Sequence, residues 1–192
     1  MDWILASASP RRKELFGEVV ETFEIIVAKG EEKASVNTPC ELVKSLALQK
    51  ATEVSQLKEA QGKAVLGADT VVALNGEILG KPKDEADAKR MLLALSGNSH
   101  EVYTGVCMIY PDENGERKTL VEADCTKVYF RSLSKTFIDE YVKGGSPMDK
   151  AGAYGIQDGG LVEKIEGSFS NVVGLPVELC KEMVEKISSK GA

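Results

Sequence analysis

The sequence predicts an α/β fold with a mixed sheet, on three observations. Short apolar runs of strand character, at 3–6, 23–27 and 64–66, alternate with segments whose apolar residues recur at helical spacing, at 39–55 and 84–95. Asn75-Gly76 stands between two apolar runs, a strong hairpin signal, so antiparallel neighbours join the sheet. No run approaches the ~18 apolar residues of a membrane span.

In chain order, the strand at 3–6 leads into Ser7-Ala8-Ser9-Pro10-Arg11-Arg12. Ser9 suits a helix N-cap and Pro10 the first turn, so a helix opens there and reaches Phe16. Two arginines at a helix start form either a phosphate grip or a solvated surface turn, and spacing alone favours the latter. The 23–27 strand empties into Lys29-Gly30-Glu31-Glu32-Lys33. Adjacent carboxylates after a strand can ligate a hard divalent cation, although a solvated turn is the commoner outcome. The 39–55 helix carries Lys50 near its end, where a cation suits the helix dipole.

Ala64-Val65-Leu66 is expected to end in a small-residue turn, Gly67-Ala68-Asp69-Thr70. An aspartate within an apolar strand usually has a partner, a metal or a reaction, which makes Asp69 the first catalytic candidate. A turn aspartate bonding its own backbone is an equally good reading of those residues alone. The hairpin at Asn75-Gly76 leaves through Gly80-Lys81-Pro82 and brings Lys81 back toward Asp69. This stretch is no P-loop, since Pro82 stands where a Ser or Thr would bind magnesium.

Asp84 caps a helix to Leu95 with Ala88, Met91, Leu92 and Leu95 on its buried stripe, and Ser96-Gly97 closes it. His100, the single histidine, reads as a structural residue. Residues 102–110 form a strand interrupted at Thr104-Gly105, 111–116 a hairpin turn, and 119–130 a second long strand. Ser134 caps a helix that stops at Gly144-Gly145. The glycine-rich stretch 149–160 follows neither the helical nor the strand period, and Tyr154 and Ile156 make it a binding wall rather than a linker. A strand at 161–165 and an amphipathic helix to about Ile187 follow, and 188–192 is expected to fray.

A formal net charge of −6 argues against nucleic acid as the main ligand, while a local basic cluster can still hold a small anion. Cysteines at 40, 107, 125 and 180 form no C-x-x-C pair, so reduced thiols are expected. The opening residues lack a basic n-region and are not read as a signal peptide, and the expected compartment is the cytoplasm, with no membrane partner.

Taken together, Ser7-Ala8-Ser9-Pro10-Arg11-Arg12, Gly67-Ala68-Asp69-Thr70-Val71-Val72, Gly80-Lys81-Pro82, Ser96-Gly97 with His100, Thr104-Gly105, Asp149-Lys150-Ala151-Gly152-Ala153-Tyr154-Gly155-Ile156-Gln157 and Asn171-Val172-Val173-Gly174-Leu175-Pro176 resemble the Maf family of nucleotide pyrophosphatases, also called septum formation inhibitors. The resemblance spans nearly the whole chain. It implies a single domain with a two-lobed α/β fold related to the inosine triphosphate pyrophosphatases, with a central cleft. It also implies hydrolysis of a nucleoside triphosphate to monophosphate and pyrophosphate with a divalent metal, Mg²⁺ or Mn²⁺.

By the same resemblance the catalytic aspartate falls on Asp69, as general base or as metal ligand, two roles the sequence does not separate, and the metal-associated glutamate falls on Glu32. Glu31 adjoins it in a Glu-Glu-Lys stretch where many relatives read Asp-Glu-Ser, so the two acids stay alternatives. Substrate-binding positions fall on Ser7, Ser9, Arg11, Arg12, Lys50 and Lys81. Thr70 and Gln157, with an arginine of the Ser9-Pro10-Arg11-Arg12 run as the third specificity position, match the subgroup acting on dTTP and UTP, and a homodimer is a further expectation the resemblance raises. The family name also keeps open a nucleotide-sensing regulator of septum formation without turnover.

Overall fold

The computed structural model describes residues 1–33, 36 and 38–189, with the side chain of residue 146 set aside. Seven strands form one mixed sheet in the order β2-β1-β3-β5-β6-β7, with β4 paired to β3. They are β1 (Trp3–Leu5), β2 (Glu24–Ile25), β3 (Ala64–Leu74), β4 (Glu77–Leu79), β5 (Ser99–Pro111), β6 (Arg117–Phe130) and β7 (Val162–Glu166). β1 runs parallel to β2 and β3, and all other pairs are antiparallel. Six α-helices pack around the sheet: α1 (Pro10–Phe16), α2 (Pro39–Ser55), α3 (Glu85–Leu95), α4 (Lys135–Lys143), α5 (Phe169–Val173) and α6 (Val177–Ser189).

Helix starts follow the predicted caps. Ser9 accepts from the Arg12 amide, Asp84 from Asp87 and Ser134 from Phe137, each with a side-chain oxygen. Thr38 does the same for α2, where Pro39 occupies the first turn.

Alternation along β3 and β5 assigns the two faces of the sheet. Val65, Cys107 and Ile109 join Ala47, Ala51 and Val54 of α2 in one core. On the opposite face, Leu66, Ala68, Val106 and Met108 pack with Phe16 of α1 and Cys180 and Met183 of α6. Further along that face, Val72, Val102 and Val128 pack against α3 and α4.

Two expected breaks are absent. Gly67 and Gly105 sit inside continuous strands, paired with Cys107 and Asp69 respectively. Their lack of a side chain serves α2: a Cβ on Gly67 would stand 2.5 Å from the Ala47 carbonyl oxygen, and one on Gly105 2.3 Å from that of Val43. The expected 23–27 strand shrinks to two residues because it is the sheet edge, with Ile25 and Val27 exposed. Ser188 and Ser189 continue α6, whereas residues 190–192 of the expected fray lie outside the described residues. All four cysteines are free. No described helix is long and apolar enough to cross a membrane.

One feature of the topology positions the site. β1 pairs with β3 as far as Leu66, and β4 pairs with the same edge of β3 from Val72 onward. Between them the edge of β3 has no strand neighbour, and a cavity opens there.

Candidate active site

The cavity, about 730 Å³, reaches both faces of β3, because side chains alternate across the unpaired edge. Asp69 points to the α2 face and Thr70 to the other. All ten residues singled out in the sequence line this one space: Ser7, Ser9, Arg11 and Arg12 from the β1–α1 turn, Glu32 and Lys50 from the α2 side, Asp69 and Thr70 from β3, Lys81 after β4, and Gln157 from the glycine-rich wall.

On the α2 side, Lys50 Nζ donates to Asp69 Oδ1 at 2.6 Å and lies 2.8 Å from Glu32 Oε1. Asp69 is only 9 % exposed, so this ion pair supplies the partner that a nearly buried carboxylate requires. The bond from Lys50 holds the Glu32 carboxyl below its usual range against partial burial, helped by the fields of Lys50, Lys81 and Arg12. Glu31 instead pairs with Lys33 at the surface, 3.3 Å away, and does not line the cavity. The geometry thus separates the two adjacent acids.

On the other face, Arg12 donates through Nε to the Gly174 carbonyl at 2.8 Å and through Nη2 to Thr70 Oγ1 at 3.0 Å. Burial pulls the guanidinium's pKa down, and the charge of Asp69 opposes that shift. Thr70 Oγ1 lies 3.0 Å from Thr104 Oγ1, and Thr104 donates to the Asn171 carbonyl at 3.0 Å. A hydroxyl has one hydrogen. With that of Thr104 committed to Asn171, the Thr70 hydrogen goes to Thr104 or to the Gly174 carbonyl, 3.4 Å away, and beyond the bond from Arg12 one lone pair of Thr70 Oγ1 is left as an acceptor. Asn171 is itself anchored by bonds from its side-chain amide to Val102 O and Thr126 Oγ1.

The glycine-rich wall bends through single 3₁₀ turns at Ser146–Asp149, Ala151–Ala153 and Ile156–Asp158. Gly152, at φ +69°, presses on Val72, where a Cβ would stand 2.8 Å from a methyl carbon. Here the structure adds two residues that motif reading left out of the site. Asp149 lies 3.2 Å from Arg11 Nη1 and 3.1 Å from Lys150 Nζ, and Asp149 and Lys150 both line the cavity. Burial would raise the Asp149 carboxyl, yet Lys150 and Arg11 together hold it below its usual range. In the sequence they open the glycine-rich run as a charged pair, within one of the stretches that carry the family resemblance. His100 is buried as expected, bonded through Nε2 to the Tyr154 hydroxyl at 2.8 Å, and Tyr154 forms part of the cavity wall.

Five cations, at Arg11, Arg12, Lys50, Lys81 and Lys150, face three carboxylates, at Glu32, Asp69 and Asp149. That leaves two positive charges, and a triphosphate, with about four negative charges, would need one divalent cation more for balance. Glu32 and Asp69 already share one cation, the Lys50 ammonium, and offer hard oxygen donors. No cluster of three His, Cys, Asp or Glu side chains forms a closed metal cage among the described residues. The donor set therefore fits Mg²⁺ or Mn²⁺ held by two carboxylates and shared with phosphate oxygens, a common coordination for nucleotide-bound magnesium.

Comparison with known proteins identifies the family. The family profile described as Maf-like protein matches residues 2–187. A dTTP/UTP pyrophosphatase of Agathobacter rectalis is 44 % identical over 96 % of this chain and 96 % of its own length. One from Citrifermentans bemidjiense is 48 % identical over 98 % of this chain and 95 % of its own length. Among solved structures, the Staphylococcus aureus Ham1 protein superposes with a TM-score of 0.58 at 16 % identity, covering 97 % of this chain and 99 % of that one. A HAM1 protein from Coxiella burnetii gives 0.53 at 16 % identity, covering 99 % of each. At that identity the structural likeness concerns the fold alone.

Proposed function

The chain belongs to the Maf family, and on that premise we propose that it is a nucleoside triphosphate pyrophosphatase that hydrolyses dTTP and UTP to the monophosphate and pyrophosphate. The observation that carries this reading is that five cations line one cleft together with a nearly buried Asp69 that is bonded to one of them, Lys50.

In the proposed reaction a water oxygen attacks the α-phosphorus and the bond from that phosphorus to the bridging oxygen breaks, releasing pyrophosphate. Arg11, Arg12, Lys50 and Lys81 hold the phosphate oxygens and offset charge as it shifts to the leaving group. Ser7 and Ser9 add hydroxyl donors at the same end of the cleft. Asp69 takes the proton of the attacking water; with Oδ1 bonded to Lys50, Oδ2 is the accepting oxygen. Glu32 and Asp69 would hold Mg²⁺ or Mn²⁺, which supplies Lewis-acid polarisation and a more acidic water when bound. At the base end, Gln157 offers both a donor and an acceptor, and Thr70 offers an acceptor. Uracil and thymine present an N–H flanked by two carbonyls, a pattern those groups can read.

The test is pyrophosphate release by the purified protein across a panel of nucleoside triphosphates, with Mg²⁺ or Mn²⁺. dTTP and UTP should exceed ATP and GTP in kcat/KM by at least about tenfold. A purine preference would overturn the substrate assignment. Nucleotide-induced stabilisation with no product would instead support the nucleotide-sensing regulator of septum formation.

A further inference from the structure

Glu32 reaches Lys50 from a stretch, 28–33, that has no secondary structure of its own. Nothing in its local sequence fixes the direction of that carboxylate. The backbone on both sides of Glu32 is instead tied to α2 by two side chains that flank Lys50. The Glu53 carboxylate accepts from the Lys29 amide at 2.7 Å and from the Gly30 amide at 3.1 and 3.0 Å through its two oxygens. Gln49 Oε1 accepts from the Lys33 amide at 3.1 Å, and its side-chain amide donates to the Glu31 carbonyl. Residues 49 and 53 are one helical turn apart, so they grip the stretch before and after Glu32 while Lys50 meets Glu32 itself. The seat is close: a Cβ on Gly30 would stand 2.7 Å from Glu53 Oε2.

A carboxylate bonding two peptide N–H groups forms charge-assisted bonds, which offset the entropy of ordering an otherwise unpaired segment. We propose that Gln49 and Glu53 are positioning residues that set Glu32 against Lys50 and Asp69, and thereby set the cleft's affinity for the divalent cation shared with its phosphate ligand. The proposal rests on the pyrophosphatase reading for its consequence in turnover, and on the bonds from α2 for its geometry. It differs from general support of the fold in what it moves. Loosening the grip weakens metal binding and leaves the chemistry of the metal-saturated site in place.

The test compares the wild type with Glu53→Ala, Glu53→Gln, Gln49→Ala and Glu32→Gln. Amide hydrogen exchange at 29–33 reads the grip directly and should accelerate at least about tenfold in Glu53→Ala, with most protection restored in Glu53→Gln, which keeps a carbonyl acceptor. Mn²⁺ binding beside a non-hydrolysable α,β-methylene analogue of dTTP, followed by loss of the free-ion paramagnetic resonance signal, should weaken about tenfold in Glu53→Ala and Glu32→Gln. In dTTP turnover the Mn²⁺ concentration for half-maximal rate should rise in step for Glu53→Ala, while kcat at saturating Mn²⁺ stays within about threefold of wild type. Gln49→Ala should move in the same direction.

Unchanged exchange in Glu53→Ala would overturn the proposal. So would lost protection with wild-type Mn²⁺ affinity, or a fall in kcat that saturating metal does not restore. A wild type that releases no pyrophosphate would defeat the functional reading alone, because exchange and Mn²⁺ binding still judge the grip.

Discussion

The Asp69 carboxylate is bonded to Lys50 at 2.6 Å, and a substitution that keeps this bond but removes the charge takes away both its proton-accepting and its metal-holding capacity. Asp69→Asn retains an oxygen for Lys50 and loses the proton acceptor. Steady-state kinetics should show kcat lower by about 10²–10⁴, the range usual for a general base, with nucleotide binding still measurable. A wild-type kcat would remove Asp69 from the reaction. The ten positions came from the family resemblance rather than from spacing, which favoured a solvated turn for Arg11 and Arg12 and offered only a helix-end cation at Lys50; what the structure adds is that all ten line one cavity. Thr104 was not among them: next to Gly105 it read as a strand interruption, whereas its hydroxyl is bonded to Thr70, 34 residues away, and to Asn171, 67 residues away. A side chain whose partners come from distant segments leaves no periodic trace.

At the scale of elements, the α2–β3 contact decides where Lys50 meets Asp69. A methyl group added at Gly67 would meet the Ala47 carbonyl oxygen at 2.5 Å and the Ala51 amide nitrogen at 2.7 Å, both backbone atoms of a helix that cannot yield cheaply. Gly67→Ala should therefore cost about 1–3 kcal/mol in urea unfolding, as overpacking does. Gly80→Ala, whose added methyl meets nothing within 4 Å, should stay within about 0.5 kcal/mol. Equal costs for the two would refute the close-packing account. The helices were readable in detail because caps and apolar spacing are local properties: α2 runs Pro39–Ser55 and α3 Glu85–Leu95, as their residues predict. The glycines inside β3 and β5 were misread for a physical reason. Glycine at a turn and glycine under a helix look alike until the neighbouring element is known.

For the molecule as a whole, the packing around the sheet makes stability depend on a residue remote from the reacting groups. His100 is 2 % exposed, and burial lowers its pKa from the ordinary 6.5 to about 4. Its neutral form is the folded one, so its contribution is complete above pH 6.5 and is lost as the pH falls toward 4. Over that interval the wild type should lose about 3 kcal/mol more stability than His100→Gln. Urea unfolding at several pH values measures the difference, and parallel curves for the two proteins would refute it. The α/β class and the hairpins were legible, but the order of strands was not, since register across β1, β3 and β5 is fixed by contacts that no single segment contains.

That order has a last consequence. An open strand edge ordinarily invites another chain to add to it, which is how sheets polymerise. The bare interval of β3 between Leu66 and Val72 is sunk at the bottom of a cavity, with Gly67, Ala68 and Asp69 buried. A small solute can enter where a second sheet cannot, so this interval of strand can meet a ligand without offering itself for strand addition.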